Sequence, residues 1–349
     1  MISPEQFRAL VSGQRRGPMA TLTRCGLRLA ESPYAWAMRV RNWRYDQGRA
    51  EITQVDVPVV SVGNLSMGGT GKTPLVEWIA RWYRQRDVRV ALISRGYGAE
   101  RAGANDEALE LEERLPDVPH LQNPDRVAAA QVAVDELEMQ VLVLDDGFQH
   151  RRLYRDLDIV LLDALEPFGY EHVFPRGTLR EPPRGLERAD VVVLSRADAV
   201  DAAEREQIRT RVAKLAPAAL WCELVHRPRR MLNCSGDELP LDAFAGQRVA
   251  AFCGIGNPAG FQHTLEQCKF EAAELRAFAD HYDYSRKDLD ELTAWARDSG
   301  AKAAICTHKD LVKLQVLRLG DIPLWAVSIE ATFLAGQAEF EAKLPPVEP

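Results

Sequence analysis

The run of residues with the clearest chemical potential is rich in glycine and lies between a predicted strand and a predicted helix. Glycines let backbone N–H groups curl around phosphate oxygens, and the N-terminus of the following helix adds a favourable dipole. The lysine would neutralise phosphate charge, and the final threonine would offer its hydroxyl to Mg²⁺. The run departs from G-x-x-x-x-G-K-[ST] at its first position, so it matches a G-G-x-G-K-T variant of the phosphate-binding loop. Its residues are Ser66, Met67, Gly68, Gly69, Thr70, Gly71, Lys72 and Thr73.

A second chemical feature is a pair of adjacent carboxylates after an apolar run. Residues 141–144 are all apolar and are followed by Asp145, Asp146 and Gly147. Such a run predicts a strand that delivers its carboxylates to the carboxyl edge of a sheet, where the Mg²⁺ of a bound nucleotide lies. Alone, the pattern is common at strand ends. Together with the loop at 66–73, it predicts a metal site made by Thr73, Asp145 and Asp146.

Short apolar runs alternate with helical segments after residue 50, and this order predicts a parallel sheet covered on both faces. A helix is expected from Pro74. The tetrapeptide that begins at Ser195 resembles a guanine-reading motif but lacks its asparagine, so it is interpreted as a strand end. A smaller α/β set, with helices near 259–268 and 285–299, follows a break at 227–230. Strands are predicted at 57–62, 88–93, 141–144, 159–162, 191–194, 249–253 and 303–306.

These patterns predict four segments. Residues 1–48 form a basic amphipathic membrane-associating segment, and residues 49–225 form a P-loop domain around the phosphate-binding loop. Residues 226–330 form the smaller α/β domain, and residues 331–349 form a C-terminal helix and tail.

The N-terminal segment carries positive charge. Residues 1–50 hold nine arginines against three carboxylates, a net charge of +6, although the whole chain carries −7. The segment has neither the cleavage site of a signal peptide nor an uninterrupted apolar stretch of about 20 residues. Ser32 and Pro33 predict a helix start, and Gly48 predicts its stop, so a helix is expected over 33–46. Its aromatic residues and arginines suit either a helix in the headgroup region or a helix docked on its own protein.

Composition narrows the class of protein. The 349 residues are 46% hydrophobic and 27% charged, which is ordinary for a globular chain long enough for two domains. Six cysteines lie far apart without a C-x-x-C pair, so they are expected to be reduced and the protein cytosolic. The negative net charge argues against a nucleic-acid binder.

Several motifs, read together, resemble those of the tetraacyldisaccharide 4′-kinases of lipid A biosynthesis. Their order and spacing agree from about residue 20 to the C-terminus, and the most distinctive is Asp-Asp-Gly-Phe-Gln-His at 145–150. The others lie at 63–74, 94–98, 106–107, 179–182, 254–258, 280–281 and 307–310.

The resemblance implies transfer of the γ-phosphoryl group of ATP, with Mg²⁺, to the 4′-hydroxyl of a tetraacylated glucosamine disaccharide 1-phosphate. It places the enzyme at the cytoplasmic face of the bacterial inner membrane, with peripheral or monotopic contact, and indicates no obligate protein partner. It also implies a P-loop NTPase-like domain joined to a smaller α/β domain by a two-stranded hinge, for which residues 220–225 and 324–329 are the candidates.

Residue roles follow from the same resemblance. Lys72 and Thr73 would bind phosphate and Mg²⁺, while Asp106 would accept the hydroxyl proton with His281 as its partner. The remaining expected cleft residues are Asn64, Arg95, Gln149, His150, Arg180 and Glu181. This chain departs from the family by carrying His308 where glutamate is common, and by a less apolar N-terminal helix, which favours peripheral attachment.

Two other classes of protein compete with this interpretation. Assembly NTPases with a G-G-x-G-K-T loop often carry a lysine early in the loop, where this chain has Ser66 and Met67. Some of these NTPases load metals, but this sequence shows no cluster of Cys or His that could bind a metal. A non-catalytic membrane protein would have no reason to keep Lys72 and the two aspartates.

Overall fold

The computed structural model describes residues 4–96, 106–280 and 282–348. The chain forms two compact units. The first consists of Met1–Gly96, Asp117–Val225 and Phe333–Pro349, and the second of Tyr97–Pro116 and His226–Thr332. Parallel strands alternate with helices in both, which confirms the predicted α/β class. The two-stranded hinge stays a prediction.

The described residues form ten α-helices and thirteen strands. The helices are α1 (Pro4–Val11), α2 (Pro18–Asp46), α3 (Lys72–Arg84), α4 (Asp106–Arg114), α5 (Arg126–Asp135), α6 (Ala202–Leu215), α7 (Pro258–Gln267), α8 (Arg286–Asp298), α9 (His308–Leu314) and α10 (Gln337–Lys343). The strands are β1 (Val59–Asn64), β2 (Val90–Ser94), β3 (His120–Gln122), β4 (Val141–Asp145), β5 (Leu157–Asp163), β6 (Val191–Ser195), β7 (Leu220–Leu232), β8 (Glu238–Leu239), β9 (Arg248–Cys253), β10 (Glu271–Ala277), β11 (Ala303–Thr307), β12 (Arg318–Leu319) and β13 (Ile322–Ala335).

The sheet of the first unit has the strand order β7-β6-β5-β1-β4-β2-β3, and its neighbouring strands are parallel. Every residue of β1, β2, β4, β5 and β6 is buried, as expected for strands covered on both faces. These are the strands predicted from the apolar runs, each displaced or extended by one or two residues. Because they are parallel, their carboxyl ends meet at one edge.

Two glycines allow β1 to approach the turn that follows β4. A Cβ at Gly63 would lie 2.5 Å from the Cβ of Phe148, and a Cβ at Gly147 would lie 2.6 Å from the hydroxyl of Ser61. Val62 of β1 is the register partner of Asp145 at the end of β4. This contact therefore sets the position of the carboxylate pair against the strand that leads into the glycine-rich loop.

The sheet of the second unit has the order β10-β9-β11-β13 with parallel neighbours, and β12 pairs with β13 in antiparallel fashion. The predicted helices near 259–268 and 285–299 correspond to α7 and α8, which are capped by Asn257 and Ser285. Strand β7 runs through residues 227–230 to Leu232, and the boundary between the two units lies beside this segment, between Val225 and His226. Pro228 is tolerated within this strand.

His308 connects two helices of the second unit. Its side chain is 2% exposed, its Nδ1 accepts a hydrogen bond from Arg114 Nε at 2.9 Å, and its Nε2 lies 3.2 Å from a Glu113 carboxylate oxygen. Arg114 also pairs with Glu110 at 2.7 Å. A histidine in place of glutamate therefore still makes a polar contact between α9 and α4.

Helix α2 is longer than the sequence predicted. The expected start at residue 33 was wrong: the helix begins at Pro18, and Pro33 lies inside it. Its end at Asp46 agrees with the prediction. One face is docked, since Tyr34 donates a hydrogen bond to the Arg180 carbonyl at 3.0 Å and Glu31 accepts one from the Val173 amide at 2.9 Å. These contacts offset the hydrogen bond that a proline removes from a helix interior.

The exposed face of α2 is partly apolar. Leu22, Leu29, Trp36 and Trp43 follow at intervals of seven residues, close to two helical turns, and all four are exposed. They therefore form one stripe along the helix, called here the α2 stripe. Among the residues that the structure describes, no helix is long and apolar enough to cross a bilayer.

The contact between Gly63 and Phe148 predicts an asymmetry between two glycine substitutions. We expect Gly63→Ala to lower the free energy of unfolding by about 1–3 kcal/mol, because the added methyl group overpacks against backbone that cannot move freely. Gly26→Ala is the matched control: nothing lies within 4 Å of its Cβ position in α2, so stability should rise by up to ~1 kcal/mol through helix propensity. Chemical denaturation measures both, and equal effects would contradict the proposed close approach.

Candidate active site

The glycine-rich loop lies between β1 and α3 in the geometry of an anion-binding turn. Gly68 has φ 124° and Gly71 has φ 80°, values that side chains rarely permit. Gly71 is the N-cap of α3, and Lys72 is the first residue of the helix. The amides of the first helical turn have no partner inside the helix, so they point along its axis towards the loop. Loop and helix start together form a site suited to phosphate.

Three side chains at the ends of β1 and β6 hold the loop. Asn64 Nδ2 donates to Thr70 Oγ1 at 3.0 Å, and Ser195 Oγ donates to the Thr70 carbonyl at 2.7 Å. Arg196 Nη2 donates to the Gly69 carbonyl at 3.0 Å. Ser195 ends β6, as predicted, and the parallel sheet brings that end to the same edge as β1. The loop is therefore braced before any nucleotide binds.

Asp146 is the centre of a charged cluster beside the loop. Its carboxylate lies 3.4 Å from Lys72 Nζ and accepts hydrogen bonds from Arg180 Nη1 at 2.7 and 2.8 Å. Arg126 Nη2 donates to the Asp146 carbonyl at 3.3 Å. Burial would raise the pKa of Asp146, but the charges of Lys72, Arg180 and Arg126 outweigh it and hold that pKa well below its usual value. The carboxylate is therefore ionised, and it holds the Lys72 ammonium and the Arg180 guanidinium in place.

Asp145 and Thr73 are suited to an oxygen-ligated cation. Asp145 ends β4 with 3% of its surface exposed, and Thr73 is the second residue of α3. Carboxylate and hydroxyl oxygens are ligands that Mg²⁺ accepts. The described residues contain no group of three His, Cys, Asp or Glu side chains arranged for a metal. A magnesium ion here would take its remaining ligands from nucleotide phosphates and water, as Mg²⁺ usually does.

Gln149 and Glu181 form one wall of the site. Gln149 Nε2 donates to the Asn64 carbonyl at 2.9 Å and to Glu181 Oε1 at 3.1 Å. Glu181 is fully buried and also accepts hydrogen bonds from Arg188 Nη2 at 3.0 Å and from Asn42 Nδ2 at 2.7 Å. A buried carboxylate with three donor residues is firmly fixed. The wall therefore ties α2 to the loop strand.

His150 lies in the same region in its neutral form. Burial, followed by the positive charges of Arg126, Arg152 and Arg155, lowers the pKa of His150 to about 4. At pH 7 the imidazole therefore carries no charge. It can act as a hydrogen-bond donor or acceptor but adds no positive charge for phosphate.

The structure places the remaining expected site residues only in part. Arg95 directly follows β2 at the carboxyl edge of the first unit and is exposed. Asp106 is the first residue of α4 in the second unit, but its side chain lies outside the described residues, and so does His281. The roles of these two residues stay predictions.

Sequence reasoning missed three residues that contact the site: Asn42, Arg126 and Arg196. Asn42 and Arg126 come from segments without a motif, so nothing local marks them. Arg196 alone had a usable signal, because it follows β6, whose carboxyl end lies at the same edge as the loop.

Comparison with known proteins agrees with this geometry. The family model for tetraacyldisaccharide-1-P 4′-kinase matches residues 23–347. The tetraacyldisaccharide 4′-kinase of Anaeromyxobacter dehalogenans strain 2CP-C is 41% identical over 351 residues, covering 95% of this chain and 92% of that protein. The corresponding protein of Geobacter metallireducens is 38% identical over 299 residues, covering 81% of this chain and 86% of its own.

A solved structure is similar as well. The crystal structure of LpxK from Aquifex aeolicus in complex with ATP has a TM-score of 0.73 and 29% sequence identity, and the match covers 92% of this chain and 98% of that chain. This likeness, with the strand-loop-helix unit described above, confirms the P-loop NTPase-like fold. The chain therefore belongs to the tetraacyldisaccharide 4′-kinase family, whose members are ATP-dependent phosphotransferases of lipid A biosynthesis.

Proposed function

We propose that the first unit binds the phosphates of ATP in the loop at 66–73 and directs the γ-phosphoryl group to the 4′-hydroxyl of a tetraacylated glucosamine disaccharide 1-phosphate. The observation that carries this proposal is the Lys72–Asp146–Arg180 cluster beside the start of α3. Fixed cations beside an anion-binding helix start are what phosphoryl transfer requires, because the transition state spreads negative charge over the phosphoryl oxygens.

In this proposal Asp146 acts first as a counter-ion. Its carboxylate holds Lys72 and Arg180 in position while the site has no phosphate, so the cations need little rearrangement when ATP arrives. Preorganised charges of this kind cost no reorganisation during the reaction. Lys72 then faces the β- and γ-phosphates, and the first-turn amides of α3 bind phosphate oxygens.

Thr73 and Asp145 would hold Mg²⁺, with Asp146 close by at the same strand end. The chemistry that Mg²⁺ would supply there is neutralisation of part of the phosphate charge. The buried position of Asp145 keeps its carboxylate fixed relative to β1, which leads directly into the loop.

Asp106 is proposed as the acceptor of the proton that the sugar hydroxyl loses, with His281 as its partner. A solvated aspartate with a pKa of ~3.9 is a weak base for that step, so it needs a neighbour that holds and tunes it. The support for this pair is the match of both positions to the family motifs.

The α2 stripe is proposed to contact the membrane surface that carries the lipid acceptor. Its leucines and tryptophans face away from the docked side of α2, and residues 1–50 carry a net charge of +6. An amphipathic basic helix of this kind lies in the headgroup region instead of crossing the bilayer. This would place the enzyme peripherally at the cytoplasmic face of the inner membrane.

Removing the charge of Lys72 tests the phosphate-binding assignment. We expect Lys72→Ala to lower the rate of acceptor phosphorylation by at least ~10²-fold, because a fixed charge at the phosphates is lost. Lys214→Ala, an exposed lysine in α6, is the matched control and should leave the rate unchanged. ATP turnover is measured with and without the acylated disaccharide 1-phosphate. A near wild-type rate in Lys72→Ala would refute the assignment, and turnover indifferent to the acceptor would favour an assembly NTPase.

A double-mutant cycle tests the proposed base. Asp106→Ala should lose most of kcat while still binding ATP, and His281→Ala should lose less. Because residues that act as one unit contribute non-additively, the double variant should be little worse than Asp106→Ala. Single-turnover kinetics and ATP titration measure both properties. Additive losses would show that the two residues act separately.

Two polar substitutions test the α2 stripe. Leu22→Gln with Leu29→Gln should lower binding to anionic lipid vesicles by at least ~10-fold, since burying each leucine contributes about 1.5–3 kcal/mol. The matched control is Val132→Gln with Leu317→Gln, two exposed apolar residues outside α2. Co-sedimentation at low and high salt measures binding, and salt should weaken it because arginines near an anionic surface contribute about 1 kcal/mol each. Equal binding by both double variants would exclude the stripe as the contact.

A further inference from the structure

A cleft of about 790 Å³ lies between α2 and the 3₁₀ helix Pro183–Arg188, entirely within the first unit. We call it the Arg39 cleft. Helix α2 contributes Arg39, Asn42 and Trp43 to its lining, and the 3₁₀ segment contributes Arg184, Glu187 and Arg188. It combines three arginines with two carboxylates, Asp46 and Glu187, one aromatic ring and an amide. Positive charge is in excess, which suits a polar ligand with a negative charge.

Some charged residues of the Arg39 cleft form ion pairs, and others do not. Arg188 is bound to Glu181, and Asp46, which also lines the cleft, is bound to Arg151 at 2.7 Å. Arg39 and Arg184 are exposed and have no ion pair or hydrogen bond with any residue that the structure describes. Two guanidinium groups therefore remain available to one ligand.

The floor of the Arg39 cleft is shared with the phosphoryl-transfer site. Asn42 and Arg188 line the cleft and both bind the buried carboxylate of Glu181. The same carboxylate accepts a hydrogen bond from Gln149, whose side-chain oxygen accepts one from Arg180 at 3.4 Å. Arg180 in turn binds Asp146 beside Lys72. The wall formed by Gln149 and Glu181 thus lies between a ligand in the cleft and the site where ATP phosphates are proposed to bind.

A second cleft, of about 590 Å³, lies against the other side of α2, but its arginines are mostly committed. Arg41 donates to the Gln149 carbonyl, Arg49 stacks on Trp43 with 4.6 Å to the ring centroid, and Arg152 pairs with Asp125 at 3.6 Å. Of the four arginines that line this second cleft, Arg44 is the one that makes none of these side-chain contacts. The Arg39 cleft is the better candidate for an added anion.

We propose that Arg39 and Arg184 bind the 1-phosphate of the disaccharide acceptor, a phosphomonoester at the end of the substrate remote from the 4′-hydroxyl. This inference rests on the proposed function and extends it to the recognition of the acceptor. Guanidinium groups bind phosphate oxygens through paired charge-assisted hydrogen bonds. Fixing the remote phosphate there would hold the sugar so that its other end faces the γ-phosphate, which is how binding at a distance assists transfer.

The test compares two acceptors in neutral detergent micelles at saturating ATP: the acylated disaccharide 1-phosphate and the same disaccharide without the phosphate. Arg39→Gln and Arg184→Gln should each raise KM for the phosphorylated acceptor by about 10-fold or more, the range for hydrogen bonds to a charged group. Both should leave KM for the dephosphorylated acceptor and KM for ATP close to wild type. Arg28→Gln removes the same charge from an exposed position of α2 that lines neither cleft and should change nothing.

Each other outcome overturns the proposal for a distinct reason. Equal effects on both acceptors would show that Arg39 and Arg184 do not read the phosphate, and an effect confined to Arg44→Gln would move the phosphate to the second cleft. An effect that appears only when anionic lipid is added to the micelles would assign the two arginines to lipid headgroups. If the wild-type protein phosphorylates neither acceptor, the proposed function itself fails, and that result is separate from any difference among variants.

Discussion

The organisation of the active site depends on the ion cluster in which Asp146 holds Lys72 and Arg180. The three residues come from the start of α3, the turn after β4 and the segment that precedes the 3₁₀ helix. A partly buried carboxylate with two cations is stabilised by mutual attraction, whereas each charge alone would be costly to bury. The cluster therefore joins three distant segments and leaves cations aimed at the position that phosphate is proposed to take.

Backbone packing makes this cluster possible. Asp146 has φ 55°, and the next residue, Gly147, is pressed against Ser61 of β1. Gly63 of β1 packs just as closely against Phe148, which follows Gly147 in the same turn. With larger residues at these two positions, the carboxylate pair would move away from the glycine-rich loop. The position of the two aspartates thus depends on two glycines that carry no reactive group.

Helix α2 connects the active site to its surroundings through its two faces. The docked face supplies Asn42 to Glu181 and Arg41 to the Gln149 carbonyl, so it forms part of the wall beside the loop. The opposite face carries the α2 stripe, and the clefts lie along its flanks. One helix that contacts both the catalytic wall and a lipid surface would bring an acylated acceptor to the site without a separate domain. The two interpretations that the sequence left open, a docked helix and an interfacial helix, are therefore compatible.

Much of this protein could be predicted from the sequence. The apolar runs located the strands of the first unit within one or two residues, because buried parallel strands need continuous apolar sequence. The glycine-rich loop, Lys72 and the Asp145–Asp146 pair were identifiable because their chemistry is carried by neighbouring residues. Other features required the tertiary structure. The start of α2 was misplaced because Pro33 is a helix-start signal locally, and only docking contacts compensate for it inside a helix. The contacts of Asn42, Arg126 and Arg196 with the site join residues far apart in the chain, and the alternation of strands and helices does not specify which side chains meet. Local signals determine elements and motifs, whereas the partners of each charged group depend on long-range packing that no short pattern encodes.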